Sequence, residues 1–222
     1  LDIAVNGLVN ILDFSKKKGV KNFYLASSSE VYQNPTKIPT DEKEMLKIPD
    51  IHNPRYSYGG GKIISELYGI HFAKKYFKKF IIFRPHNVYG SDMGNEHVIP
   101  QFINRFDKLK KDNKFLIYGT GNEQRSFIYI DDFVSGFDRI FKKGKNREIY
   151  NIGTTQKIKI SDLARLVAKI LNKKIQFKKT KILKGSPSIR CPNINKINKL
   201  GFKYEISLEE GIRRIIKLRW KN

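Results

Sequence analysis

Phe23-Tyr24-Leu25-Ala26-Ser27-Ser28-Ser29-Glu30-Val31-Tyr32 is the stretch on which the fold turns. Its first four residues make a short continuous apolar run, the pattern of a buried strand. Polar residues take over at Ser27, at the C-terminal edge of that strand. In open parallel sheets this edge is where ligands bind. Upstream, Val5, Leu8, Val9 and Leu12 recur at helical spacing, and Lys16-Lys17-Lys18-Gly19 places cations and a glycine where a helix C-terminus favours them. Downstream, residues 33–56 carry four prolines and several charges and read as loop. A second helix bears Tyr58 and Lys62 and continues through Ile63, Ile64, Leu67 and Ile70 to about Lys79. A second strand, Phe80-Ile81-Ile82-Phe83, then runs into Arg84-Pro85-His86-Asn87-Val88-Tyr89-Gly90. Helix, strand, helix, strand in this order predicts a parallel sheet covered by helices, an α/β fold.

After Gly90 the elements become smaller. The pattern predicts a helix from about Val98 to Lys111, a strand at Phe115–Tyr118, a turn at Gly119-Thr120-Gly121-Asn122, and a short strand within Gln124–Asp132 before a helix to about Lys143. A strand at Ile149–Ile152 precedes a helix whose Leu163, Leu166, Val167, Ile170 and Leu171 form one apolar stripe, with Ser161 as its expected cap. A loop with Arg190 leads to a short helix ending at Leu200-Gly201, and the last helix opens with Ser207 and Glu210 at capping-box spacing. The chain contains neither an internal repeat nor a low-complexity tract.

With 222 residues, 40% of them hydrophobic, the chain can fill one substantial core, or one domain and part of another. A net charge of +23 raises the question of nucleic acid or an anionic membrane. The lysines are scattered, however, and no long basic run is interleaved with aromatics, so a solvated basic surface is the expectation. Cys191 is the one cysteine, which excludes an internal disulfide and a cysteine-based metal cluster and points to a reducing, cytoplasmic setting. No apolar run nears the roughly 20 residues of a membrane helix, and the N-terminus lacks a signal-peptide layout. His71 and His97 lack second ligands at metal spacing, so no metal site is expected.

Tyr58-Gly59-Gly60-Gly61-Lys62 is the first chemical candidate. A spacing of four is about one helical turn and brings the two Cβ atoms within roughly 5–6 Å. A cation so placed favours the phenolate and lets a tyrosine act as a base near neutrality. Among 11 tyrosines in a lysine-rich chain such a pair can also arise by chance, so its weight comes from its surroundings.

Those surroundings are ordered. Ser27-Ser28-Ser29-Glu30-Val31-Tyr32 is followed by Tyr58 and Lys62, then by Arg84-Pro85-His86-Asn87-Val88-Tyr89-Gly90, Tyr118-Gly119-Thr120-Gly121 with Gln124-Arg125-Ser126-Phe127, Tyr150-Asn151-Ile152-Gly153, and Arg190 before Leu200-Gly201. Over nearly the whole chain this series resembles the extended short-chain dehydrogenase/reductase family, specifically its nucleotide-sugar epimerases, dehydratases and decarboxylases. The resemblance implies the C-terminal portion of a Rossmann-type doubly wound parallel sheet plus a smaller α/β substrate-binding domain. Residues 1–90 would be a truncated NAD-binding domain, and residues 91–222 mainly the nucleotide-sugar domain, with segments returning to the first. The family's glycine-rich dinucleotide fingerprint has no counterpart here, and the chain opens at Leu1, so the expectation is a fragment, inactive alone.

The resemblance also implies roles. Tightly held NAD would oxidise a sugar hydroxyl, usually at C4; Tyr58 would take the hydroxyl proton, Lys62 would tune Tyr58 and hold the nicotinamide ribose, and Ser28 would hydrogen-bond the reacting oxygen. Glu30, after Ser28 and Ser29, leans towards dehydratase or decarboxylase, because a carboxylate there could remove the proton next to the ketone; its alternative reading is an exposed loop glutamate or helix-dipole partner. Arg125 and Arg190 match positions that contact the diphosphate, Asn87 and Ser29 positions at the sugar nucleotide, and each arginine has a structural salt bridge as its alternative. The implied partner is a nucleotide-diphosphate sugar, with neither nucleic acid nor membrane, and the full-length protein would be a homodimer formed through two helices per subunit, here those near Ile3–Lys18 and Tyr58–Lys79. The competing reading is a non-catalytic relative that binds a nucleotide or nucleic acid, motivated by the +23 charge and the missing fingerprint.

Overall fold

Strand Asn22–Ala26 (β1) lies parallel to Lys79–Pro85 (β2), and β2 lies parallel to Ile149–Ile152 (β7), in the order β1-β2-β7. The computed structural model describes residues 2–109, 114–179 and 187–219. Successive side chains of a strand point to opposite faces, and β2 uses both. Phe80 and Ile82 face a core with Leu25 of β1, Leu8 and Leu12 of helix Leu8–Lys17 (α1), Ala73 of helix Ser57–Tyr76 (α2) and Phe77 just after it. Ile81 and Phe83 face the other core, with Ile140 of helix Ile130–Lys143 (α4), Ile197 of the short helix Asn195–Asn198 (α6), and Ile194 and Phe202, which flank α6. Helices thus cover both faces of a parallel sheet.

A third and larger core packs helices Val98–Asp107 (α3), Ile160–Ile170 (α5) and Leu208–Arg219 (α7) around Phe102, Phe106, Phe115, Leu163, Val167, Ile212 and Ile215. Around it lie very short strands. Gln124–Ser126 (β5) pairs parallel with Ile189–Arg190 (β10) and antiparallel with Lys157–Lys159 (β8). Val88–Tyr89 (β3) pairs with Ile128–Tyr129 (β6), and Phe115–Ile117 (β4) with Phe177–Lys179 (β9).

Several element boundaries differ from those the sequence predicts. A π-helical turn, Ile3–Gly7, precedes α1. The helix α2 ends at Tyr76, because Phe77 is extended and Lys79 already pairs with Asn22 in β1. The helix α3 ends at Asp107, and Lys110 and Lys111 lie outside the described residues. The segment Gln124–Asp132 is two strands, and α4 begins at Ile130, with Asp131 and Asp132 in its first turn, where the helix dipole favours them. Ser161 does not cap α5: it lies inside the helix, buried, with its N–H donating to the Gly121 carbonyl at 2.9 Å. Ser207 does cap α7, its Oγ accepting from Glu210 N–H at 3.2 Å, while the Glu210 carboxylate accepts from Arg214. Among the described residues, no helix is long and apolar enough to cross a membrane.

Candidate active site

The chain enters α2 through a 3₁₀ turn, Pro54–Tyr56, whose Asn53 side chain accepts from Arg55 N–H at 3.0 Å. Tyr58 then stands 54% exposed, and Lys62, one turn on, is half-buried. The Lys62 Nζ lies 6.0 Å from the centroid of the Tyr58 ring and donates to the Ala26 carbonyl at the end of β1, at 2.9 Å. Both side chains line an open cavity of about 910 Å³ together with Ala4, Leu25, Ser57 and Ser65. Burial of its ammonium lowers the Lys62 pKa from the usual lysine value, and the carboxylate of Glu66 acts in the opposite direction.

The edge of β1 turns into the candidate loop at Ser28, which is extended (φ −158°, ψ 152°) and whose Oγ accepts from Glu30 N–H at 3.1 Å. This Ser28 cap starts a 3₁₀ turn, Ser29–Tyr32, in which Ser29 is buried. The loop and the start of α2 touch. A Cβ built on Gly59 would lie 2.7 Å from the Glu30 carbonyl oxygen, so only glycine allows that approach. The Tyr58 helix and the Ser28–Glu30 loop therefore share one edge of the sheet.

Glu30 carries its charge to Arg190. Arg190 Nη1 donates to Glu30 Oε1, and Nη2 to Oε2 at 3.0 Å, a two-pronged ion pair spanning 160 positions of sequence. Arg190 also stands in register with Arg125 on the adjacent strands β10 and β5. The Arg125 Nη1 donates to the Gln124 carbonyl at 2.8 Å. Burial, and after it the charge of Arg190, pushes the Arg125 guanidinium down to about 10, Arg55 adding to the effect and Glu123 and Glu30 opposing it. Asn87, at φ 42°, donates through Nδ2 to the Ser126 carbonyl at 2.8 Å, which ties the β2–β3 connection to the strand that bears Arg125. The structure thus brings Ser28, Ser29, Glu30, Arg125 and Arg190 together, joins Tyr58 and Lys62 to them through Gly59 and Ala26, and places Asn87 beside the arginine strand. For Arg190 the salt-bridge alternative is the one realised in the structure, with Glu30 itself as the partner.

Sequence reasoning passed over a buried polar network beneath this edge. Arg84 on β2 donates from Nε to Glu66 Oε1 at 2.8 Å and from Nη2 to Glu66 Oε2 at 2.5 Å. Its Nη1 donates to the Tyr32 hydroxyl at 2.8 Å, and Tyr32 donates to Asn151 Oδ1 at 2.7 Å. Asn151 in turn donates to the Thr40 carbonyl at 3.1 Å, and His86 Nε2 stands 3.1 Å from Asn151 Oδ1. Burial pushes His86 down to about 3, so it is neutral, and because Oδ1 accepts, Nε2 bears the proton. A signal was available: Glu66 follows Ile63-Ile64-Ser65 one turn after Lys62, and a carboxylate on the buried side of a helix needs a cation.

Chemically, the edge offers a phenol beside a cation, a carboxylate held by a guanidinium, and two arginines in register on adjacent strands. Such a set suits proton removal from a bound hydroxyl or carbon acid whose ligand also carries phosphate-like charge.

Known proteins carry the same architecture. The profile of the NAD dependent epimerase/dehydratase family matches residues 1–153. The dTDP-D-glucose 4,6-dehydratase of Dictyostelium discoideum is 34% identical over 175 residues, covering 72% of this chain and 37% of that protein. The mouse dTDP-D-glucose 4,6-dehydratase is 29% identical over 227 residues, covering 99% of this chain and 61% of that protein. The crystal structure of Thermotoga maritima UDP-glucose 4-epimerase with UDP-glucose superposes with a TM-score of 0.87 at 27% identity, covering 99% of this chain and 70% of that one. The chain therefore spans less than two thirds of the length of either dehydratase.

Proposed function

The chain belongs to the NAD dependent epimerase/dehydratase family, and we propose that its site takes part in oxidising a nucleotide sugar at C4, the ketone then being epimerised or dehydrated. The observation that carries this reading is the anchoring of Lys62 to Ala26, one turn after Tyr58 and two residues before Ser28, so that one cation ties the phenol's helix to the serine's strand. Tyr58 takes the proton of the sugar hydroxyl, Ser28 hydrogen-bonds the same oxygen, and Lys62 favours the phenolate. The donor set fits NAD at this edge. An ammonium has three N–H donors, of which the Ala26 carbonyl takes one, and the others would hold a hydroxyl of the nicotinamide ribose. When bound, NAD supplies the hydride acceptor.

Arg125 and Arg190 hold the diphosphate, and Asn87 and Ser29 border the sugar. A diphosphate at Arg190 competes with Glu30, so substrate binding and release of the carboxylate are linked. A freed Glu30 removes the proton adjacent to the ketone, which favours dehydration over simple epimerisation; loss of carbon dioxide from a sugar acid is the alternative outcome of the same oxidation. Residues 1–90 with the returning strand β7 serve the cofactor, and residues 91–222 mainly serve the nucleotide sugar. The exposed apolar side chains Ile11 and Phe14 on α1 and Ile64, Leu67, Tyr68 and Tyr76 on α2 make these two helices the dimer surface of the full-length protein, which sedimentation velocity tests.

The functional test is the product of the full-length protein incubated with NAD and either UDP-glucose or dTDP-glucose. Mass spectrometry reads loss of water for dehydration, and proton NMR of the product of unchanged mass reads inversion at C4 for epimerisation. Tyr58→Phe lowers kcat by about 10²–10⁴-fold. A protein that holds NAD and leaves both sugars untouched refutes the reading.

A further inference from the structure

Two consecutive residues at the end of β1 are held by two residues one turn apart on α2. The Ala26 carbonyl accepts from Lys62 at 2.9 Å, and the Ser27 hydroxyl donates to Glu66. The next residue in the chain is Ser28, and one turn before Lys62 in the helix is Tyr58. The strand–helix pairing is therefore a register: slide α2 along β1 and both bonds break together. Lys62 is only half-buried, and an exposed lysine stem has many rotamers, so it cannot define the register alone. Glu66 can. It is 3% exposed, and both of its carboxylate oxygens are fixed by Arg84, itself 2% exposed. Arg84 is in turn braced by the Tyr32 hydroxyl and the Glu42 carbonyl, and its guanidinium lies 4.8 Å from the Tyr32 ring centroid. Tyr32 closes the 3₁₀ turn that contains Glu30. One guanidinium thus connects the helix of the base, the strand before Ser28 and the turn of Glu30.

We propose that Glu66, clamped by Arg84, is a positioning residue for the reaction, which sets Tyr58 and Lys62 against Ser28 by holding the Ser27 hydroxyl. The role rests on the reading of Tyr58 and Ser28 given above. Nothing in it requires Glu66 to touch substrate or cofactor; it acts by fixing a distance on which proton transfer depends. A displacement of about 1 Å at a reacting group lowers rate by about 100-fold.

The test uses the full-length holoenzyme in the nucleotide-sugar assay described above. Ser27→Ala cuts the tie and leaves the ion pair in place, so the fold is retained. A second variant, Glu66→Leu with Arg84→Met, replaces the buried pair by apolar groups of similar volume, a change that buried ion pairs commonly tolerate. The expected result is a kcat lowered by about 10-fold in the first and about 100-fold in the second, with KM within about 3-fold of wild type, and faster amide hydrogen exchange in residues 57–62. A merely structural role would lower the melting temperature without the split between kcat and KM. Wild-type kcat in both folded variants, or unchanged exchange in residues 57–62, overturns the inference. Tyr58→Phe run alongside separates the two claims. If it abolishes turnover while the Ser27 and Glu66 variants keep it, only the positioning role falls; if it is without effect, the reading of the site falls first.

Discussion

The two three-stranded sheets each place an arginine on their middle strand and treat it in opposite ways. Arg84 on β2 is buried and would by burial alone be lowered, yet the Glu66 carboxylate and the Tyr32 hydroxyl carry its pKa above the usual arginine value. Arg125 on β5 is pushed down to about 10 by burial and by its neighbour Arg190. The first is a cation whose charge is matched inside the protein. The second is a cation that burial and a neighbouring guanidinium disfavour, with Glu123 and Glu30 acting the other way. In the sheet β1-β2-β7 the buried arginine faces a carboxylate, and in the sheet β10-β5-β8 it faces a second arginine in register.

Three experiments test that contrast. The largest effect is expected for Arg84→Met, which strands the Glu66 carboxylate in the core and lowers unfolding free energy by about 3–5 kcal/mol in urea titrations. A loss below about 1 kcal/mol would mean that the buried Glu66 carboxylate does not depend on Arg84. Next, Arg125→Ala weakens binding of a nucleoside diphosphate to the full-length protein by about 1.5–3 kcal/mol in calorimetry, with the urea midpoint unchanged or raised. A midpoint that falls as for Arg84→Met would erase the distinction. The smallest effect concerns His86, on which Arg84 and Arg190 both act. Its folded pKa of about 3 lies below the unfolded value of 6.5, so the unfolded chain gains a proton first as the pH falls. Stability from this group is full above pH 6.5 and declines towards pH 3, by about 1 kcal/mol at pH 6. His86→Gln should flatten the stability profile between pH 7.5 and 6 by that much; an unaltered slope would show that His86 protonates in the folded protein.

How far the sequence reaches depends on the separation over which a contact acts. The strands β1 and β2 and the helix α2 are legible because their apolar runs are local, and the pair Tyr58 and Lys62 is visible because helical spacing is local too, whereas its weight and the role of Ser28 come from the ordered series of motifs that carries the family resemblance. The pairing of Arg190 with Glu30 spans 160 positions, and that of Arg84 with Glu66 depends on which helix face meets which strand; neither is written in a window of sequence. The strands β8 and β9 are short and lysine-bearing, Lys157-Ile158-Lys159 and Phe177-Lys178-Lys179, so β propensity gives no signal and only their partners define them. Ser161 shows the converse error. A serine before an apolar stripe looks like a cap, but the Gly121 carbonyl takes its N–H, and the helix starts one residue earlier.

Gly59 has a consequence for anyone who would retune this edge. Because the Glu30 carbonyl lies 2.7 Å from where a Cβ would be, the spacing between the tyrosine's helix and the glutamate's turn is set by the thickness of a hydrogen atom. Position 59 works as a shim. Gly59→Ala would put a Cβ against Gln33 Nε2 and 2.7 Å from the Glu30 carbonyl oxygen, and so would push the turn from the helix by a fraction of an ångström while leaving every acid, base and cation chemically intact.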